Sequence, residues 1–297
     1  MTAVDNETQR FSYIDSNMAE GINKANGTKE NKSRTLHVPD LFEGILAGDP
    51  VENPLESTIG LASEEWTKAL AAPKADLFAF RMAVDWCIWA FVFDDQSAHE
   101  IIWTLSLMDD THPPVDPKTQ PLRYMFQSIW HRFQEIFSTV GKNPIGSACS
   151  YCLFVVVEWA YGIKLTQDIF DHPSVSTCER AAADLTWLVN DVLSYKKDLA
   201  SGVEHNIICL LMRKGYSEQE AMDKTGDMMK ECHKDWDIAV ANLPSWGEQT
   251  DKEVQRYLCV ARDSARANLW WSFRSGRYLD AAEAAQVQAN KTLTLEN

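Results

Sequence analysis

Asn190-Asp191-Val192-Leu193-Ser194-Tyr195-Lys196-Lys197-Asp198 is the stretch that decides how this chain is read. It lies within an apolar stripe over residues 176–200 whose spacing predicts a helix. Asn190, Ser194 and Asp198 stand at i, i+4 and i+8. At about 100° per residue, those side chains fan across roughly 80° of one helix face. All three end in oxygen, and only Asp198 carries charge. Oxygen ligands suit Mg²⁺, which keeps several waters and shares its shell with phosphates. Lys197 stands beside Asp198, where it could meet a phosphate that such a metal brings in. Taken alone, the triplet reads equally well as a polar helix face turned to water.

Outward from that stretch the pattern stays helical. Apolar stripes run over residues 76–94, 120–137, 147–169, 204–214, 217–242 and 250–285. Breaks fall at Gly48-Asp49-Pro50, residues 110–117, residues 141–144 and Leu243-Pro244-Ser245. Alternating strand-like runs are scarce, and neither an internal repeat nor a linker divides the chain. The expectation is one all-α domain over residues 37–287. Residues 1–36 are polar and predicted disordered, and residues 288–297 are predicted to be a loose tail.

The chain has 297 residues, enough to bury a full core, and eleven tryptophans suit both that core and a deep apolar pocket. Its net charge of −15 argues against nucleic acid and anionic membrane surfaces as partners. An acidic protein that takes a phosphorylated ligand needs metal ions between the two negative partners. Seven cysteines are scattered, and Cys149 and Cys152 form a lone C-x-x-C without a second pair or a His cluster, which argues against zinc. Most of them read as buried thiols in a reducing compartment. No signal peptide and no membrane-length apolar run is seen, so the chain reads as cytosolic.

Two further motifs flank the first. The aromatic helix running into Phe91-Val92-Phe93 ends at Asp94-Asp95. Paired carboxylates oppose the dipole at a helix C-terminus, and a divalent cation would account for them; a helix ending in solvent is the plainer alternative. Asp109-Asp110 runs into His112-Pro113-Pro114 and reads as a loop. Near the end, Arg277-Tyr278 follows Trp270-Trp271-Ser272-Phe273-Arg274. An Arg fork fits phosphate oxygens, and a Tyr hydroxyl adds a neutral donor.

In this order the three motifs resemble a class I terpene synthase of the fungal (basidiomycete) sesquiterpene synthase type, over about residues 36–285. Val38-Pro39-Asp40, Asn53-Pro54 and Gly202-Val203-Glu204-His205-Asn206 fit the resemblance as well. It implies an all-α, single-domain helical bundle around a central active-site cavity, acting on farnesyl diphosphate. Three Mg²⁺ ions would bridge protein and diphosphate, with Asp94 and Asp95 on one side and Asn190, Ser194 and Asp198 on the other. Lys197, Arg277 and Tyr278 would donate to the diphosphate as it leaves. The carbocation would be cyclised or quenched in a dry aromatic pocket. Trp86, Phe91, Trp187 and Trp270 are candidates for its wall, and each reads as plain core too. A homodimer is compatible with the resemblance.

The chain departs from the family in two ways. Ala98 stands where relatives carry a third acidic residue. The segment between Asp95 and Asn190 is short by about two helices' worth, at roughly 20 residues each, and residues 74–81 look clipped. The position of the family's diphosphate-sensing Arg falls near Pro144, and no Arg lies between Arg132 and Arg180. These departures keep a second reading open, an impaired or inactive truncated variant. A chain-elongating prenyl diphosphate synthase is the third, but it needs a second aspartate-rich motif where this chain has Asn190 and Ser194.

Overall fold

The structure is a computed structural model that describes residues 33–49, 115–120, 123–124, 126–127, 129–131, 154, 158 and 161–296. Residues Thr35–Leu295 make one compact unit. Its elements are β1 (Arg34–His37), a 3₁₀ turn (Gly44–Leu46), α1 (Gln167–Phe170), α2 (Pro173–Ser201), α3 (Ile207–Arg213), α4 (Glu218–Ala241), α5 (Glu248–Arg274), α6 (Ala281–Asn290) and β2 (Thr292–Leu295). Helical positions also occur at 123, 124, 126, 127, 129–131, 154, 158 and 161.

The central helix is α2, packed between α4 and α5. Its start is fixed by Pro173 in the first turn and by His172, whose ring accepts from the Ser174 amide. Its end is fixed by Gly202 in the left-handed conformation. Between these caps Val175, Ala182, Leu185, Leu188, Val189 and Val192 are at most 1% exposed. A helix apolar on more than one side must be wrapped by neighbours, and α4 and α5 supply them. Helix α4 opens with a reciprocal Ser217–Glu220 capping box and α6 with Asp280–Glu283.

The all-α expectation holds, with one addition. β1 pairs with β2 in a two-stranded sheet. Residues 288–295, expected to be a loose tail, are thus in regular structure: α6 runs to Asn290, and Leu293 and Leu295 are buried. Ordered structure likewise begins ahead of residue 37, at β1. The stripe over 250–285 is broken rather than continuous, because α5 stops at Arg274 and α6 starts at Ala281. The 147–169 stripe is interrupted after Tyr161 by Gly162 in the left-handed region. The predicted helix over 76–94 lies outside the described residues.

The segment 38–49 runs from β1 across α4 and α5. Gly226 of α4 lets Pro39 approach so closely that an added Cβ would stand 2.8 Å from its ring. Phe42 packs edge-on against Trp270 at 5.4 Å and lies tilted against Phe273 at 5.2 Å. Of the described cysteines, Cys178 is buried, which pushes its thiol up to about 12, while Cys259 is exposed. Cys209 and Cys232 are half-buried, so the expectation that most cysteines are buried meets its exception at Cys259 among the described residues.

Candidate active site

The described part of the site is built on the last three turns of α2. Asn190, Ser194 and Asp198 share one face, as their spacing requires. The Ser194 hydroxyl donates to Asp198 Oδ2 at 2.5 Å. Asp198 is 4% exposed, and its other oxygen, Oδ1, is buried without a hydrogen-bond partner. Lys197 Nζ stands 3.4 Å from that oxygen. A buried carboxylate oxygen left over in this way, beside an amide and a hydroxyl, is a donor set that fits a hard cation. Among the described residues no group of three or more His, Cys, Asp or Glu side chains could hold a metal. Among the described residues, the oxygens open to a cation here are those of Asn190 and Ser194 beside the Asp198 carboxylate.

The third motif comes to the same place from the far end of the chain. The α5–α6 break puts Arg277 and Tyr278 in a loop. Asp280 caps α6 at one end of that loop, and an ion pair between Lys196 of α2 and Glu283 of α6 holds it to the central helix. Asn190 Nδ2 donates to the Tyr278 hydroxyl at 2.7 Å. With its amino group engaged, the Asn190 amide keeps its carbonyl oxygen as an acceptor. Lys197 Nζ lies 5.8 Å from the Tyr278 ring centre, and the Arg277 guanidinium carbon lies 5.5 Å from it. Trp271 supports the ring edge-on at 5.9 Å. Two cations, a phenol and an oxygen-rich helix face thus meet at one spot, an arrangement suited to polyanionic phosphate.

The consecutive residues of the central motif divide their work. Asp191 stands seven residues before Asp198, about two turns back on nearly the same side of the helix, and its Oδ2 accepts from the Ile207 amide at 2.7 Å. Asn206 caps the same helix, α3, by accepting from Ile208. Neither role was read from the sequence, although a polar residue before the apolar run from Ile207 is an N-cap signal.

Of the proposed wall residues, Trp270 has other work. Its Nε1 donates to Gly48 O at 3.0 Å, Phe42 packs on it, and the Arg274 guanidinium carbon stands 4.7 Å from its centre. Trp187 is half-buried and donates to Asp184 Oδ1 at 3.1 Å. Asp94, Asp95, Trp86 and Phe91 lie outside the described residues.

The "Terpene synthase family 2, C-terminal metal binding" model matches residues 142–235, which contain the whole central motif. The chain is 46% identical to cycloaraneosene synthase of Sordaria araneosa, covering 89% of this chain and 92% of that protein. This chain belongs to the terpene synthase family. It is also 29% identical to (+)-eremophilene synthase of Gibberella fujikuroi, over 93% of this chain and 97% of that one. Among solved structures, linalool/nerolidol synthase of Streptomyces clavuligerus, in complex with 2-fluorogeranyl diphosphate, is similar with a TM-score of 0.56 at 18% identity. That match covers 73% of this chain and 87% of the other. The fold is that of class I terpene synthases.

The alignments also measure the shortfall. The match to the Sordaria protein spans 336 positions, yet 89% of 297 residues is about 264. About 72 positions of that alignment therefore face no residue of this chain. The same arithmetic for the Gibberella protein, 350 positions against 93% of 297, leaves about 74.

Proposed function

We propose that this terpene synthase is Mg²⁺-dependent and ionises farnesyl diphosphate, giving a carbocation that is cyclised or quenched with release of diphosphate. The observation that carries the reading is the Asn190–Tyr278 hydrogen bond, which joins the oxygen triplet of α2 to the Arg277-Tyr278 loop. Lys197, Arg277 and Tyr278 together present donors to the leaving group, where charge grows as the carbon–oxygen bond breaks. Asn190, Ser194 and Asp198 would hold metal, and the family pattern gives three ions, with Asp94 and Asp95 holding the others. Bound Mg²⁺ supplies Lewis-acid neutralisation of the diphosphate. A homodimer and a cytosolic location go with this reading, and are checked by light scattering and by cell fractionation.

The test is turnover. Purified protein is incubated with geranyl, farnesyl and geranylgeranyl diphosphates and Mg²⁺, and volatiles and released diphosphate are measured. A hydrocarbon or terpene alcohol from farnesyl diphosphate, lost on chelation of the metal and in Asn190→Ala and Asp94→Ala, is expected. Product from the twenty-carbon substrate alone would reassign the chain length. Longer diphosphates formed when isopentenyl diphosphate is added would mark a chain-elongating enzyme. No product from a protein with wild-type helical content would sink the reading.

A further inference from the structure

Asn206 makes more bonds than a helix cap needs. It is 1% exposed. Its Oδ1 accepts from the Ile208 amide at 3.0 Å, which satisfies the start of α3. Its Nδ2 turns the other way, into the metal-binding face of α2. There it donates to the Asp191 carbonyl at 2.8 Å and to Asp198 Oδ2 at 3.0 Å, and it lies 3.5 Å from Ser194 Oγ. A cap alone uses only the oxygen. The amino group is committed to two of the residues that make the central motif.

The consequence for Asp198 is a division of its two oxygens. Oδ2 receives both the Ser194 hydroxyl and the Asn206 amide. Oδ1 receives no hydrogen bond. A carboxylate this deeply buried needs donors to stay in place, and donors on one oxygen fix the rotation of the whole group. Of these two donors, Ser194 belongs to α2 itself and Asn206 comes from outside it, across the Gly202 turn.

We propose that Asn206 is a positioning residue for the metal site. Its amide locks the Asp198 carboxylate so that Oδ1 is the oxygen presented to the cation. The inference rests on Asp198 being a metal ligand, as in the function proposed above. Partners of this kind tune affinity by orienting the ligand they touch, and their loss costs about 10–100-fold in metal binding.

Asn206→Ser and Asn206→Thr separate the two jobs. Each keeps a side-chain oxygen that can cap Ile208, and neither has an amino group to reach Asp198. Binding of inorganic diphosphate is measured by calorimetry as Mg²⁺ is titrated, at a temperature where each variant keeps the wild-type far-UV spectrum. Asn190→Ala serves as the reference for a lost ligand. The expected result is a Mg²⁺ midpoint raised about tenfold or more in both variants, beyond the fall in melting temperature that the lost buried hydrogen bonds bring. A purely structural role would lower the melting temperature and leave the Mg²⁺ midpoint where it is. If wild-type protein binds diphosphate only with Mg²⁺ and both variants share its midpoint, the role of Asn206 is overturned and the metal site stands. If wild-type protein shows no Mg²⁺-dependent binding, the metal site itself falls.

Discussion

Replacing Tyr278 by Phe removes one oxygen and leaves the ring where Trp271 and the two cations hold it. Tyr278 is 5% exposed, and its hydroxyl takes the Asn190 amide at 2.7 Å. A neutral hydrogen bond contributes about 0.5–1.5 kcal/mol net, and more when its loss strands a fully buried donor. Asn190 is only half-buried, so water can replace the phenol, and about 1 kcal/mol is the expected loss. For a chain of this size that corresponds to a fall of about 2–4 °C in melting temperature. Because the same bond orients the Asn190 carbonyl, Mg²⁺-dependent diphosphate binding should weaken about fivefold, at 1.4 kcal/mol per tenfold. The decisive measurement is a double-mutant cycle with Asn190→Ala, followed by calorimetry and by thermal unfolding. Independent sites add to within about 0.5 kcal/mol, whereas a direct bond gives a coupling of about 1 kcal/mol. Additive losses, or wild-type diphosphate affinity in Tyr278→Phe, would show that the loop and α2 do not act as one site.

Two further predictions concern the segment that crosses α4. His233 is buried and its Nδ1 accepts from the Ile45 amide; burial holds the imidazole below its usual value, while Glu43 and Asp237 pull it upward. A lowered folded value means that the unfolded chain binds more protons, so stability rises with pH through the window between the folded value and 6.5, and is fully present above 6.5. Urea midpoints of the wild type should therefore fall on acidification from about pH 7 to about pH 5, and this slope should flatten in His233→Gln; equal slopes would refute the role. Gly44 has φ +56, and a Cβ there would meet His233 Nδ1 at 2.5 Å. Gly44→Ala should destabilise by about 2 kcal/mol, combining left-handed strain with the clash, and an unchanged melting temperature would contradict it.

The oxygen triplet was legible because its period is helical and local: i, i+4 and i+8 stay together on any intact α2. The placement of Arg277-Tyr278 was only half legible. The stripe over 250–285 reads as continuous because α5 and α6 are both amphipathic, and the break between them depends on the Asp280 cap and on the Lys196–Glu283 pair. Asn206 could be read as a cap from its neighbours, yet its bond to Asp198 depends on how the Gly202 turn folds back on α2. The β1–β2 pair escaped for a different reason. Thr292-Leu293-Thr294-Leu295 alternates like a strand but is short, and its partner lies at the other end of the domain.

That pair works as a buckle. Asp40 and Lys291, ion-paired just inside it, are 251 residues apart. In an unfolded chain, closing such a loop costs about 3 kcal/mol more than closing a ten-residue hairpin, and a lone two-stranded ladder cannot meet that cost. Once the helices have packed, the two strands are already neighbours and the cost largely disappears. The buckle therefore closes last on refolding and opens first on unfolding. When it opens, Phe42 is freed to leave Trp270, and Ile45 to leave His233, while α2 stays packed between α4 and α5. Fluorescence from Trp270 should then report a step distinct from helix formation, the fastening of a belt around a bundle already built.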